Sequence, residues 1–185
     1  MVVVVLLIVL VGLSGRRFTT SSKRRTMTQC QANLQKIYLA LSIYSSDNKG
    51  VYPAVASAES SEVPLSLLIP RSTTVTEMFI CPGTDDRKLP EGEPFTKRTI
   101  SYAYYMGFNT NADPASPLLS DRQLDTLPSR AGSRVFSFDG KKPGNNHHAD
   151  GGNIVFLSGE TIASGPKAAR DLLFPTNVVL LNPRK

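Results

Sequence analysis

Two apolar patterns follow one another in the first fifty residues. Residues 2–13 are aliphatic at every position except Gly12. From residue 26 the apolar residues instead recur at intervals of three and four, which is the spacing of one face of an α-helix. The helix is expected to end at Gly50, because glycine suits a left-handed C-terminal cap and Pro53 prevents the helix from continuing. The apolar face consists of Met27, Cys30, Leu34, Ile37, Leu41 and Tyr44.

The later part of this face is expected to lie against a sheet of the same molecule. Four residues, Leu34, Ile37, Leu41 and Tyr44, would make this helix–sheet packing. The part of the helix nearer the N-terminus can in addition contact the helix of a neighbouring subunit.

After Gly50 the pattern changes to short apolar runs separated by turn residues. Runs of alternating or aromatic residues predict strands at 99–105, 134–139, 153–157 and 160–163, the last two joined by a two-residue turn at Ser158-Gly159. Short helices are predicted at 63–69, 118–127 and 167–174. The fold class is therefore α+β: a long N-terminal helix packed on a small antiparallel sheet with loop-rich insertions.

The same patterns divide the chain into three parts. Residues 1–25 form an apolar anchor segment with a basic stretch behind it. Residues 26–165 form a globular head that includes the second half of the helix, and residues 166–185 form a C-terminal tail.

The net charge of +6 is concentrated directly behind the aliphatic run. A basic cluster that adjoins an apolar segment is typical of a membrane surface, so no nucleic-acid partner is expected. The cluster consists of Arg16, Arg17, Lys23, Arg24 and Arg25.

The aliphatic run is short for a transmembrane helix. Thirteen residues rise only about 20 Å, whereas the hydrocarbon core is about 30 Å thick. A signal peptide would have this length, but no basic residues precede the run. The positive-inside rule would leave the following residues in the cytoplasm. A natural start upstream of Met1 would resolve this conflict. The expected anchor residues are Val2, Val3, Val4, Val5, Leu6, Leu7, Ile8, Val9, Leu10, Val11 and Leu13.

The chain has two cysteines, Cys30 on the helix and Cys81 before Pro82. In a cytosolic protein two isolated cysteines are ordinary core residues. In an exported head they are candidates for a disulfide, and the anchor-like N-terminus favours that interpretation.

Candidate chemistry is sparse, and an enzyme is not expected. The two histidines are adjacent, and no nucleophile motif accompanies them. Oxygen-bearing side chains suit Ca²⁺, although Asn and Asp also cap turns. The calcium candidates are Asp139, Asn146, Asp150 and Asn153.

Five short motifs, in this order, resemble the pseudopilin-like proteins with a prepilin-type N-terminus, which are similar to type II secretion pseudopilins. The first two are Cys-x-x-Asn-Leu-x-x-Ile at 30–37 and Tyr-x-x-Asp-Asn-x-Gly-x-x-Pro at 44–53. Phe-x-Cys-Pro at 79–82 and Ser-Tyr-x-Tyr at 101–104 follow. In the last, nine residues separate a histidine from Ser-Gly, where the family has Asp-Gly. The residues of this C-terminal motif are His148, Gly151, Gly152, Ser158 and Gly159.

The resemblance implies a pilin-like fold and a structural role. It implies a subunit anchored in the inner membrane with a periplasmic head, assembling into a short filament of a type II secretion-like or type IV pilus-like system. Its partners would be other pseudopilin subunits and the assembly platform of the secretion system. The resemblance also implies a calcium site in the distal loops. The alternative is an anchored or secreted binding module that holds calcium in the loop around residue 146.

Overall fold

One long helix precedes a small sheet. The computed structural model describes residues 2–87, 89–95, 98–122, 129–130, 146, 152–164, 175 and 177–184, with side chains from residue 22 onwards in the first helix. Helix α1 spans Val2–Asp47, and the short helix α2 (Glu62–Leu65) continues into a 3-10 turn at Ser66–Leu68. A second 3-10 turn lies at Thr76–Phe79.

The described residues form six strands in one antiparallel sheet, so the α+β class is correct. The order across the sheet is β3-β6-β1-β2-β4-β5, and every pair of neighbours is antiparallel. The strands are β1 (Tyr102–Met106), β2 (Pro117–Asp121), β3 (Ser129–Arg130), β4 (Gly152–Phe156), β5 (Thr161–Ser164) and β6 (Val179–Leu181).

Helix α1 ends as its sequence predicts. Gly50 has a φ of +82° and its backbone N–H donates to the carbonyl of Ser45 at 2.7 Å. Lys49 is also left-handed, with a φ of +57°. These two residues reverse the chain, and Val51 then pairs with Asn109 in an isolated bridge.

The core lies between α1 and the sheet. Leu34, Ile37 and Leu41 have no exposed surface, and Tyr44 is partly buried against the same core. Helix α1 contacts β2, β4 and β5 and both 3-10 turns. Every residue of β1 is buried, and the segment that follows α1 contacts this strand: Ser61 Oγ donates to the carbonyl of Tyr102, and the Tyr104 hydroxyl donates to the carbonyl of Pro53.

Strand β6 lies within the sheet although it follows all the other strands in the sequence. It pairs with β1 on one side and β3 on the other. The residues that follow β6 are hydrogen-bonded to the start of α2. The Ser61 backbone N–H donates to the carbonyl of Asn182 at 3.0 Å, and the Arg184 N–H donates to the Glu62 carboxylate at 3.0 Å. The end of the predicted tail thus belongs to the sheet.

One local prediction is wrong: residues 117–121 form β2 rather than the start of the helix predicted at 118–127. The predicted strand at 134–139 and the predicted helix at 167–174 lie outside the described residues.

Candidate functional site

The burial of the described side chains of α1 changes along the helix. Among the described side chains, full burial begins at Cys30, and Lys23, Arg24 and Arg25 before it are exposed. Leu39 and Ile43 lie on the side opposite the sheet and are 61% and 49% exposed. Among the described side chains of α1, those from Cys30 onwards therefore make the packing on the head.

The predicted disulfide is confirmed. Cys30 and Cys81 are bonded, with their Cα atoms 5.2 Å apart, and both are fully buried. Beside them the Asn33 side-chain amide donates to the carbonyl of Ile80 at 3.0 Å. The bond and this contact hold the segment after the second 3-10 turn against α1.

A cleft of about 390 Å³ runs along α1 beside the disulfide. Gln29, Asn33 and Lys36 from the helix form one wall, and the 75–86 segment forms the other. Its lining combines apolar side chains with both signs of charge, since Lys36 faces a wall that includes Glu77 and Asp86.

Asp86 organises the wall behind this cleft. Its carboxylate accepts hydrogen bonds from Ser101 Oγ at 2.7 Å, from Thr99 Oγ1 at 3.2 Å and from the Arg122 guanidinium at 3.1 Å. Ser101 Oγ also accepts the Cys81 N–H at 2.9 Å. Burial alone would raise the pKa of Asp86, but these hydroxyls and the Arg122 charge outweigh burial and lower the pKa below its usual value.

A second carboxylate, Asp121, lies fully buried at the end of β2. It accepts the Asn153 backbone N–H at 2.7 Å and the amides of Asn153 and Asn146, each at 3.0 Å. Asn146 also donates to the carbonyl of Ser101, and Asn153 to that of Met27. Burial raises the pKa of Asp121 to about 7, although the hydrogen bonds oppose the shift. This network joins β1, β2, β4 and α1.

The four calcium candidates are only partly described. Asn146 and Asn153 direct their amide nitrogens to Asp121, and the side-chain oxygen of each is buried without a hydrogen-bond partner among the described residues. A calcium ion would require six to eight oxygen ligands. Asp139 and Asp150 lie outside the described residues. Within the described part of the chain, no three His, Cys, Asp or Glu side chains are grouped closely enough to hold a metal ion. In the described structure, Asn146 and Asn153 hydrogen-bond the buried carboxylate of Asp121.

The Ser-Gly pair of the C-terminal motif forms the turn between β4 and β5. The connection has three residues, Leu157, Ser158 and Gly159, rather than the predicted two, because Phe156 and Glu160 still pair. Gly159 has a φ of +83°, and the Tyr38 hydroxyl donates to the carbonyl of Leu157 at 3.0 Å. Gly152 begins β4, whereas His148 and Gly151 lie outside the described residues.

The anchor residues belong to the first turns of α1, whose backbone is helical from Val2. A search of the described residues for a helix with enough apolar length to cross a membrane found none.

Three carboxylates that accept several hydrogen bonds were missed by the sequence analysis: the buried Glu62 and Asp121 and the partly buried Asp86. None of them belongs to a motif. In Pro117-Leu-Leu-Ser-Asp, one serine separates Asp121 from an apolar pair, and this pair is the only local signal of its burial. Their partners come from distant parts of the chain.

Comparison of the chain with protein-family models, with curated proteins and with solved structures gave no match.

Proposed function

We propose that the protein is a structural, pilin-like subunit: its N-terminal helix holds it in the inner membrane, and its head lies in the periplasm. Copies and related pseudopilin subunits would pack side by side into a short filament of a type II secretion-like or type IV pilus-like system, on that system's assembly platform.

The observation that carries this proposal is the length of α1 relative to its packing. The helix begins at Val2, but full burial among its described side chains begins only at Cys30. The part of the helix beyond the head ends in the aliphatic run of residues 2–13. An apolar helix of this kind requires lipid or another helix to cover it, since each buried aliphatic side chain contributes about 1.5–3 kcal/mol.

Assembly would exchange one apolar environment for another. In the membrane, lipid surrounds residues 2–13; in the filament, the corresponding segments of neighbouring subunits would replace lipid. The head would set the spacing, because the helix and the sheet are joined through Leu34, Ile37 and Leu41. The disulfide supports an exported location, since such bonds persist in oxidising compartments.

A membrane fractionation experiment tests the anchoring part of the proposal. The native protein should sediment with membranes, and the double variant Val5→Lys/Val9→Lys should be released, because each lysine placed deep in the hydrocarbon core costs about 3 kcal/mol. The matched control, Thr28→Lys/Gln35→Lys, adds the same charge at exposed positions of the same helix and should stay with the membranes.

Mass spectrometry of the N-terminal peptide and chemical cross-linking in intact membranes test the filament part. A pilin-like N-terminus would be a methylated aromatic residue upstream of Met1, and cross-links should join heads of separate copies. A mature N-terminus between Ser14 and Arg16 would overturn the proposal, because it would indicate a cleaved signal peptide and a free head.

A further inference from the structure

Three exposed basic residues, Lys23, Arg24 and Arg25, form a collar on α1 just before the head. We call them the basic collar. The head begins one turn later, where the carbonyl of Met27 accepts a hydrogen bond from Asn153. Because α1 is one continuous helix, the collar has a fixed position between the apolar segment and the head.

The side chains of the collar are distributed around the helix axis and do not lie on one face. Consecutive residues of an α-helix are roughly 100° apart around its axis. Three consecutive basic residues therefore point in three directions that together cover most of the circumference. The sequence places two further basic residues, Arg16 and Arg17, between the collar and the apolar run.

This geometry distinguishes between two anionic partners. A neighbouring copy would approach the helix from one side and meet one or two of the three charges. A membrane surface that the helix enters surrounds it completely and meets all of them. Each Lys or Arg close to an anionic bilayer strengthens binding by about fivefold, the equivalent of about 1 kcal/mol.

The segment of the head beside α1 does not add to the charge of the collar. Its exposed residues carry both signs: Glu77, Asp85, Glu91 and Glu93 are acidic, and Arg71, Arg87 and Arg98 are basic. The attraction of an anionic surface is therefore concentrated on the collar, and the continuous helix α1 fixes the distance between that surface and the head.

We propose that the basic collar binds the headgroups of anionic lipids and holds the head upright on the membrane surface, ready for lateral packing. This inference rests on the proposed function, because the apolar segment must first bring the collar to the bilayer.

Vesicle binding by the full-length protein tests the inference. The two vesicle types are pure phosphatidylcholine, and phosphatidylcholine mixed with phosphatidylglycerol. We expect the collar to contribute on the order of 100-fold tighter binding to the anionic vesicles at low salt, from three charges at about fivefold each. The preference should weaken as salt is added, and the contribution of the collar should be lost in Lys23→Gln/Arg24→Gln/Arg25→Gln, which retains Arg16 and Arg17. The control Arg71→Gln/Arg87→Gln/Arg98→Gln removes the same charge from exposed head positions and should keep the preference.

The other outcomes separate the two proposals. Equal binding to both vesicle types overturns the collar's role and leaves anchoring intact. Binding to neither type overturns anchoring, and the collar proposal with it. A control variant that loses the preference as fully as the collar variant would show a general charge effect and overturn the inference. Self-association without lipid gives a further test. If the native protein and the control variant self-associate and the collar variant does not, the partner of the collar is a second copy and the inference is overturned.

Discussion

Asp121 accepts hydrogen bonds from three uncharged donors among the described residues: the backbone and amide of Asn153 and the amide of Asn146. A carboxylate in this setting resists ionisation, because neutral hydrogen bonds replace only part of the hydration lost on burial. Asp121 lies where α1 and three strands meet. Its ionisation therefore affects the stability of the whole head.

This burial predicts a loss of stability as pH rises. The pKa of Asp121 is about 7 in the folded protein and 3.8 in the reference state, so between about pH 4 and pH 7 the folded state holds a proton that the unfolded state has released. The free energy of unfolding should therefore fall across this window, by up to ~4 kcal/mol, and level off above it. Urea unfolding across this pH range would measure the change.

The variant Asp121→Asn should remove the slope, since an amide does not titrate. Asp47→Asn, at an exposed position of α1, should keep the slope of the native protein. Parallel pH profiles for the native protein and Asp121→Asn would contradict the assignment of the slope to Asp121.

Gly159 illustrates a different constraint at the residue scale. It combines a left-handed backbone with close contact to α1: a Cβ placed on it would lie 2.9 Å from Cε1 of Tyr38. Gly92 has a similar φ of +72° but nothing within 4 Å of the corresponding position. A substitution at Gly92 therefore measures the cost of backbone strain alone, whereas a substitution at Gly159 measures backbone strain together with crowding against Tyr38.

We predict that Gly159→Ala destabilises the head more than Gly92→Ala. Each change costs about 1 kcal/mol for a left-handed alanine, and the contact with Tyr38 adds to the loss only at residue 159. The free energies of unfolding of the two variants give the comparison. Equal losses of unfolding free energy in the two variants would mean that the Tyr38 ring moves aside freely. The turn between β4 and β5 would then not be held in one position against α1.

At the scale of elements, the disulfide joins α1 to a segment that contains little regular structure. From Val51 to Ser101 the described chain has one short helix and two 3-10 turns. The bond at Cys81 and the Asn33 contact join this segment to α1, and the Asp86 network joins it to Arg122. The disulfide closes a loop with a sequence separation of 51 residues.

Removing this bond should lower the free energy of unfolding substantially. On the loop-entropy estimate, Cys30→Ala/Cys81→Ala loses about 4 kcal/mol, because the unfolded chain regains the freedom that the bond removes. Urea unfolding with and without reductant measures it: reduced native protein should match the variant, and the variant should not respond to reductant. A loss below about 1 kcal/mol would show that the segment is held mainly by its other contacts.

At the scale of the molecule, the sequence predicted those features that local pattern determines. The spacing of Leu34, Ile37 and Leu41 defines the buried face of α1, and Gly50 ends the helix because a left-handed residue is required there. The anchor-like N-terminus favoured the bond between the cysteines. The two helix signals lie within a few residues of the features that they predict, whereas the signal for the disulfide is distant in the sequence from both cysteines.

The features that depend on distant partners were not predicted. Residues 117–121 contain a leucine pair followed by polar residues, a pattern compatible with helix or strand. Pairing with β1 and β4 decides for a strand. The buried carboxylates have the same origin: Asp121 owes its setting to residues 146 and 153, and Glu62 accepts hydrogen bonds from residues 100 and 184. No local window contains that information.

The position of β6 determines when the head can form during biosynthesis. Because β6 separates β3 from β1, the sheet cannot close until residue 181 has left the ribosome. A nascent chain shorter than this would leave one side of β1, a strand of tyrosines and methionine, with unpaired backbone groups, which is the condition that promotes aggregation. Translation and export would therefore handle an incompletely folded chain until β6 has been synthesised, and a product truncated before residue 179 would be a substrate for proteases and chaperones.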